Sequence, residues 1–323
     1  MSNIIARVGI YGDIHLSSKN YGAHKDYPSE SLYCFNKIAE TCENKQLTHL
    51  ICCGDFTFGR FHSLEYRNAV DQALARMHKQ TSGNHFVLCG NHDVAGYGLV
   101  ERDYYIEKGL IRPSQNMTLG NVNFTMVDYD KHNETEPNII DREDQVNILV
   151  THDFFKFNST QLPNYGKAII LDEFSRWFGA DYIACGHVHK IINFSGYITK
   201  ENNVHECIVH YLGCMTRPSF RDGHMDNVGQ VLIFTIYDNG ELDCDIENIP
   251  LWGLEDSFNL EVKQKQQAKK EEKAARVDIS DVVKQLDSHD RNVGNPEDII
   301  KGLTDIDEKY KNKAIELLKG ALA

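Results

Sequence analysis

The chain has 323 residues, 41% hydrophobic and 25% charged, with a formal net charge of −13. That length and composition suit one large core with a smaller appendage, and no stretch reaches the roughly 20 apolar residues that a membrane span requires. The polar start, Met1 to Ala6, carries no signal-peptide pattern, and the odd count of nine cysteines argues against a disulfide framework. The expectation is a cytoplasmic chain with reduced, buried thiols and no membrane association. Its acidity excludes unaided binding to a nucleic-acid backbone, so a DNA substrate would need metals, basic loops or a partner.

In chain order, five short apolar runs each end in polar, metal-type residues. Arg7 to Tyr11 leads into Gly12-Asp13-Ile14-His15, and Leu47 to Cys53 into Gly54-Asp55. His85 to Cys89 leads into Gly90-Asn91-His92-Asp93. Val146 to Val150 leads into Thr151-His152-Asp153, and Asp181 to Cys185 into Gly186-His187-Val188-His189. Short, nearly continuous β-branched runs predict strands buried on both faces. Between them, helical periodicity is expected over Ser29 to Asn44, Leu64 to Lys79, and Lys167 to Phe178 before Gly179. Alternation of strands and helices predicts an α/β layered fold, in which functional groups collect beyond the carboxyl ends of the strands.

After His189 the pattern becomes four consecutive strands, Ile191 to Tyr197, His205 to Leu212, Val228 to Tyr237 and Glu241 to Ile246, with a hairpin at Asn239-Gly240. From about residue 255 the chain turns charged and helical. The expected division is therefore a catalytic domain over 1–255 and a linker with helical tail over 256–323. Lys263 to Arg276 reads as a solvated helix, and Ile306 to Leu322 as an amphipathic one.

Singly, Asp-x-His or Gly-Asp is an ordinary strand-end turn. Together, Asp13, His15, Asp55, Asn91, His152, His187 and His189 make the mixed oxygen and imidazole set that two neighbouring divalent cations need, including a carboxylate to share. Gly precedes the first ligand in four of the five clusters, which allows close backbone approach.

The ordered set G-D-I-H, G-D-F, G-N-H-D, T-H-D and G-H-V-H resembles the calcineurin-like metallophosphoesterase superfamily over about residues 7 to 190. The resemblance implies a four-layer α/β/β/α fold, a β-sandwich flanked by helices, here with a C-terminal helical tail. It also implies that Asp13, His15, Asp55 and His189 hold one metal, and Asp55, Asn91, His152 and His187 the other, with Asp55 bridging. Cations so placed acidify a water and neutralise phosphate charge. His92 is then expected to give a proton to the leaving oxygen, with Asp93 or a backbone carbonyl orienting its ring. Manganese is the expected ion, with iron or zinc as substitutes.

Tyr211 to Phe220, followed by Gly229 to Thr235, is similar to the corresponding segment of SbcD-type DNA exonucleases, and the tail resembles that of phage-encoded members. In that family such helices dock on an SbcC-like coiled-coil ATPase, so DNA, that ATPase and a second copy of the chain are the implied partners. Two positions depart from the pattern. Phe58 stands three residues after Asp55, where the nucleases often carry His (His62 is the candidate substitute), and Cys214 stands where Ser is usual. Arg60, Arg217 and Arg221 are candidates for phosphate contacts, or else solvated loop residues. The alternatives are a stand-alone phosphodiesterase or phosphatase on a small nucleotide or other phosphoester, and a non-catalytic scaffold of the same fold. The tail's alternative is a self-packed cap over a sheet edge.

Overall fold

The computed structural model describes residues 2–21, 24–94, 98–139, 144–160, 162, 167–201, 203–217 and 229–259, with 261, 265, 268, 311, 312 and 315 from the rest of the chain. The chain divides into two compact units, Met1–Phe258 and Asn259–Ala323. Most of the second unit, including nearly all of the expected amphipathic segment from Ile306 to Leu322, lies outside the described residues.

In the first unit the elements run β1 (Ile4–Tyr11), α1 (Tyr27–Asn44), β2 (His49–Cys52), α2 (Leu64–Thr81), β3 (His85–Val87), α3 (Asn91–Val94), α4 (Gly98–Glu107), β4 (Arg112–Pro113), β5 (Met117–Leu119), β6 (Val122–Val127) and β7 (Val146–Thr151). There follow β8 (Phe155–Lys156), β9 (Ile169–Ile170), β10 (Tyr182–Cys185), β11 (Ile191–Lys200), β12 (Asn203–Leu212), β13 (Gly229–Tyr237), β14 (Leu242–Ile249) and α5 (Leu254–Ser257). They form two six-stranded sheets, ordered β14-β13-β1-β2-β3-β4 and β11-β12-β10-β7-β6-β5. β1, β2, β3 and β4 are parallel, as are β6, β7, β10 and β12, while the hairpins β11–β12 and β13–β14 are antiparallel.

Period-two alternation builds the sandwich. Val8 and Ile10 of β1, Phe124 and Met126 of β6, Ile148 and Val150 of β7 and Ala184 of β10 face a shared core between the sheets. The intervening residues face outward. On one side they meet Phe35, Ile38, Val70, Leu74 and Met77 of α1 and α2. On the other, Leu149, Ile183 and Tyr211 meet Phe155, Phe157, Leu171 and Trp177. These are mixed α/β layers around two sheets, as the sequence predicts.

Local chemistry sets the helix ends. The Asp26 carboxylate accepts from Ser29 N and Pro28 sits in the first turn of α1, so that helix starts two residues before the periodicity does. Ser63 caps α2 through Tyr66 N, and Ser82 ends it in the left-handed region. The helix expected over Lys167 to Phe178 does not form. Ile169–Ile170 pairs with Phe155–Lys156 as β9, and the rest makes two 3-10 turns, Leu171–Glu173 and Ser175–Trp177, separated by Phe174 at ψ 73. Asp172 is held by the backbone amide of Asn158, and Trp177 is pulled into the core, so tertiary contacts override the helical period. The short hairpin β5–β6, turning at Gly120 and Asn121, and helix α4 are additions to the expected elements.

All nine cysteines are unpaired and eight are buried. Among the described residues, no helix is long and apolar enough to cross a membrane.

His85 on β3 is fully buried, its Nε2 3.0 Å from Tyr11 Oη, and burial pushes its pKa down to about 3. Its neutral form is therefore favoured by folding. Stability from this group is complete above the unfolded value of about 6.5 and is lost as pH falls from there toward the folded value. In urea unfolding from about pH 7 to about pH 5, the free energy should fall more steeply for the wild type than for His85→Phe, by up to about 1.4 kcal/mol per pH unit.

Candidate metal centre

Five strand ends deliver the expected residues to one edge of the sandwich. β1 leads to Asp13 and His15, β2 to Asp55, β3 to Asn91, β7 to His152, and β10 to His187 and His189. The first three strands lie in one sheet and the last two in the other, so the cluster straddles both. Backbone bonds lock the loops to one another. His15 N donates to Asp55 O at 2.9 Å, Leu16 N to Phe56 O at 3.0 Å, Gly186 N to Thr151 O at 3.0 Å and Met215 N to Asp13 O at 2.7 Å.

Asp13, His15, Asp55 and His189 each place one donor atom within 4.8 Å of the others. His15 Nε2 is 3.0 Å from His189 Nε2 and 3.6 Å from Asp55 Oδ2, and His189 Nε2 is 3.2 Å from Asp13 Oδ2. On the other side of Asp55, His152 Nε2 lies 3.3 Å from Asp55 Oδ2 and 3.0 Å from Asn91 Oδ1, which is itself 2.9 Å from His187 Nδ1. Asp55 therefore stands between two donor groups.

The electrostatics fit a cation. His152 Nδ1 faces a carbonyl, Cys53 O, at 2.9 Å and must donate to it, so in a neutral ring Nε2 turns a lone pair toward two oxygen acceptors. Burial opposes charge on this ring, but Asp55 and Asp13 outweigh it and raise the pKa to about 10. Conversely, burial opposes ionisation of Asp13 and Asp55, while His152 beside them holds both below the usual carboxylate range. His15 is pushed down to about 3 by burial, and His187 is lowered by burial and by His152. Two buried carboxylates thus demand positive charge, which a proton on His152 or a divalent cation in its place can supply, while His15 and His187, disfavoured as cations by burial, are in the neutral form that coordinates a metal.

The backbone carries strain at the same place. His15, Asp55 and His187 have φ of 49°, 48° and 67°. The left-handed region costs a non-glycine residue roughly 1–2 kcal/mol, and such strain gathers where function over-determines the geometry. Asp and His enter this region more readily than most residues, but the spacing of the motifs does not say which of them will. Gly90 and Gly186 permit the close packing: a Cβ on Gly186 would lie 2.5 Å from Asp13 Oδ1, and one on Gly90 would collide with Asp55 Oδ1 and its backbone nitrogen.

Around the donors, His92 is half-buried, with its ring 5.1 Å from that of His15 and 4.9 Å from that of Phe58, and its backbone N–H donates to Asp55 Oδ1 at 2.8 Å. Phe58 also packs edge-on against His15 at 5.5 Å, so it forms part of the wall. Asp93 does not orient the His92 ring. Its buried carboxylate accepts from Gly90 N at 2.9 Å, Phe56 N at 3.3 Å and Thr57 N at 3.2 Å, which ties the Asp55 loop to the Asn91 loop. Burial, followed by the nearby Asp55 charge, raises its pKa to about 6.

Arg217 is also not a phosphate contact. It is buried, and it donates from Nε and Nη2 to Glu30 Oε1 at 3.0 and 2.7 Å, and from Nη2 to Trp252 O and Ser257 Oγ, each at 2.6 Å. Nε and Nη2 are thereby committed to joining α1 to the end of the unit. Arg60 and His62 are exposed on the loop after β2, and Arg221 lies outside the described residues. Tyr129, at the end of β6, escaped the sequence reading. Its ring stacks on His187 at 5.9 Å and 29°, and Asp128 beside it accepts from Cys89 N at 2.8 Å. The available signal was a sixth polar cluster at a strand end, Asp128-Tyr129-Asp130. An open cleft of about 330 Å³ is bordered by Ser114, Gln115, Asp128 and Lys131, and neither Tyr129 nor any of the seven metal-type residues lines it.

A family model described as calcineurin-like phosphoesterase matches residues 6–191. Among curated proteins, none matches the chain. Solved structures that resemble it include TT1561 of Thermus thermophilus, at 8% identity and a TM-score of 0.42, covering 76% of this chain and 100% of that one. A dimetal phosphatase from Danio rerio is 12% identical, with a TM-score of 0.41 and coverage of 77% of this chain and 100% of its own. GAP50, the anchor in the inner membrane complex of Plasmodium, is 10% identical, with a TM-score of 0.34 and coverage of 81% and 95%.

Two substitutions separate site from scaffold. Gly90→Ala should leave the fold intact but displace Asp55, lowering divalent-cation affinity by about tenfold or more in calorimetric titration. Arg217→Ala, which strands buried Glu30, should cost about 3–5 kcal/mol in denaturant unfolding. The Arg217→Ala protein that remains folded should keep its KM for a model phosphodiester; a raised KM at unchanged stability would restore the phosphate-contact role.

Proposed function

The chain belongs to the calcineurin-like phosphoesterase family, and on that premise we propose that it is a two-metal phosphodiester hydrolase, the nuclease subunit of a DNA repair or recombination complex. The observation that carries the hydrolase reading is the convergence of Asp13, His15, Asp55, Asn91, His152, His187 and His189 from five strand ends onto a shared carboxylate. Asp13, His15, Asp55 and His189 would hold one divalent cation and Asp55, Asn91, His152 and His187 the second. Such a pair supplies Lewis acidity toward a phosphoester and lowers the pKa of water.

The chain's own residues do the rest. His152 is fixed by Cys53 O so that Nε2 faces the centre. Asp93 holds the Asp55 and Asn91 loops in register through three backbone amides. His92 lies beside the donors, next in sequence to Asn91, and gives its proton to the leaving oxygen. Phe58 covers the imidazoles on one side and reduces their contact with water.

The nuclease assignment is supported by the similarity of Tyr211 to Phe220 to SbcD-type exonucleases. The net charge of −13 leaves DNA binding to an SbcC-like coiled-coil ATPase docked through the C-terminal helices. Manganese is the proposed ion, and iron or zinc can substitute at either position. A second reading, a stand-alone phosphodiesterase on a small nucleotide, is favoured by the aromatic ring of Tyr129 beside the candidate ligand His187, since such a ring can pack against a base.

With Mn²⁺ and a chromogenic phosphodiester, Asp55→Ala should lose essentially all turnover, and His92→Gln should lower kcat by about 10²–10⁴-fold with little change in KM. Full activity in both would remove the assignment of catalysis to this site, and absence of turnover in the wild type would remove the hydrolase reading. With linear double-stranded DNA, digestion should appear or rise when the ATPase is added. Inert DNA alongside rapid turnover of a cyclic dinucleotide would favour the second reading.

A further inference from the structure

We propose that Cys214 belongs to the metal position formed by Asp13, His15, Asp55 and His189, and that its thiol makes that position select Zn²⁺ over Mn²⁺. This rests on the metal reading given above and concerns which cation one of the two positions takes.

Cys214 Sγ and one nitrogen each of His15 and His189 all lie within 4.8 Å of one another, a group that shares both imidazoles with the Asp13, His15, Asp55 and His189 set but that neither carboxylate enters. Among the described residues, Cys214 is the cysteine whose sulfur enters such a group. The backbone fixes its place. β12 ends at Leu212, Gly213 turns the chain at φ 72°, Cys214 pairs with Asp13 as an isolated parallel bridge, and Met215 N donates to Asp13 O at 2.7 Å. The thiol is thus anchored to the backbone of the first ligand itself. It is 1% exposed, so water does not compete for the sulfur.

The thiol's present partners, Asp13 O and, more distantly, Thr216 Oγ1 at 3.8 Å, are replaceable. Sγ–H donates to Asp13 O at 3.3 Å, and that carbonyl keeps Met215 N when the thiol lets go. On coordination the S–H bond breaks, an S–metal bond forms and the proton passes to buffer, so a neutral thiol becomes a thiolate donor and the cation's charge is offset by one unit. His15 Nδ1 is buried with no hydrogen-bond partner among the described residues. Its ring therefore lacks the hydrogen bond from behind that orients most ligand imidazoles and is held instead by packing against Phe58, His92 and His189. Oxygen and imidazole donors alone accommodate Mn²⁺, whereas one thiolate shifts the preference toward thiophilic Zn²⁺. Serine, the usual residue of SbcD-type enzymes here, has no such effect.

The test uses the full chain, stripped of metal and titrated with Co²⁺ as the probe. Visible d–d bands report occupation of the Asp/His set, and a near-ultraviolet thiolate-to-cobalt charge-transfer band reports sulfur in the shell. The wild type should show both. Cys214→Ser, and Cys214→Ala as a second variant, should keep the d–d bands, lose the charge-transfer band and lower the Zn²⁺-over-Mn²⁺ affinity ratio in competition by about tenfold or more. Wild-type d–d bands without the charge-transfer band, or a charge-transfer band that survives in Cys214→Ser, overturn the Cys214 assignment and leave the metal reading standing. Absence of d–d bands in the wild type overturns both.

Discussion

Two carboxylates, Asp13 and Asp55, are each 1% exposed and lie within 4.8 Å of each other's donor group at the edge of a β-sandwich. Like charges so placed repel and lose hydration, which a fold tolerates only if positive charge is built in beside them. The neighbouring imidazoles, the strained backbone at three ligand positions and the glycines that admit no side chain all follow from that one requirement. Local strain brings the pair together, and the packed sandwich behind the loops holds them there.

Much of this was legible in the sequence because β-strands have a simple period and the site residues sit immediately after them. The runs before Asp13, Asp55, Asn91, His152 and His187 became β1, β2, β3, β7 and β10, and all five point their carboxyl ends to the same edge. Helices α1 and α2 declared themselves through spacing and caps. The segment from Lys167 to Phe178 misled because its apolar residues fit a helical period by chance, while two adjacent isoleucines and the demand of Trp177 for burial settled a different conformation.

Side-chain roles were less legible than positions. Arg217 offers the chemistry of a phosphate clamp, yet Glu30, 187 residues away in sequence, claims it. Asp93 follows His92 directly, but α3 turns its carboxylate toward the backbone of the Asp55 loop instead. A sequence states which groups are available, whereas long-range pairing decides which of them remain uncommitted. The left-handed φ values at His15, Asp55 and His187 are of the same kind, since Asp and His adopt that region more readily than most residues but their identity alone does not say which of them will.

The donor set draws on both leaves of the sandwich, with Asp13, His15, Asp55 and Asn91 carried by one and His152, His187 and His189 by the other. Any ion or substrate gripped by all of them acts as a rivet between the leaves. Prying the leaves apart then requires the rivet to come out first, so occupancy at the rim governs how often the hydrophobic interior opens. The lifetime of the folded chain becomes a property of its surroundings, lengthening or shortening with the free concentration of whatever the rim binds.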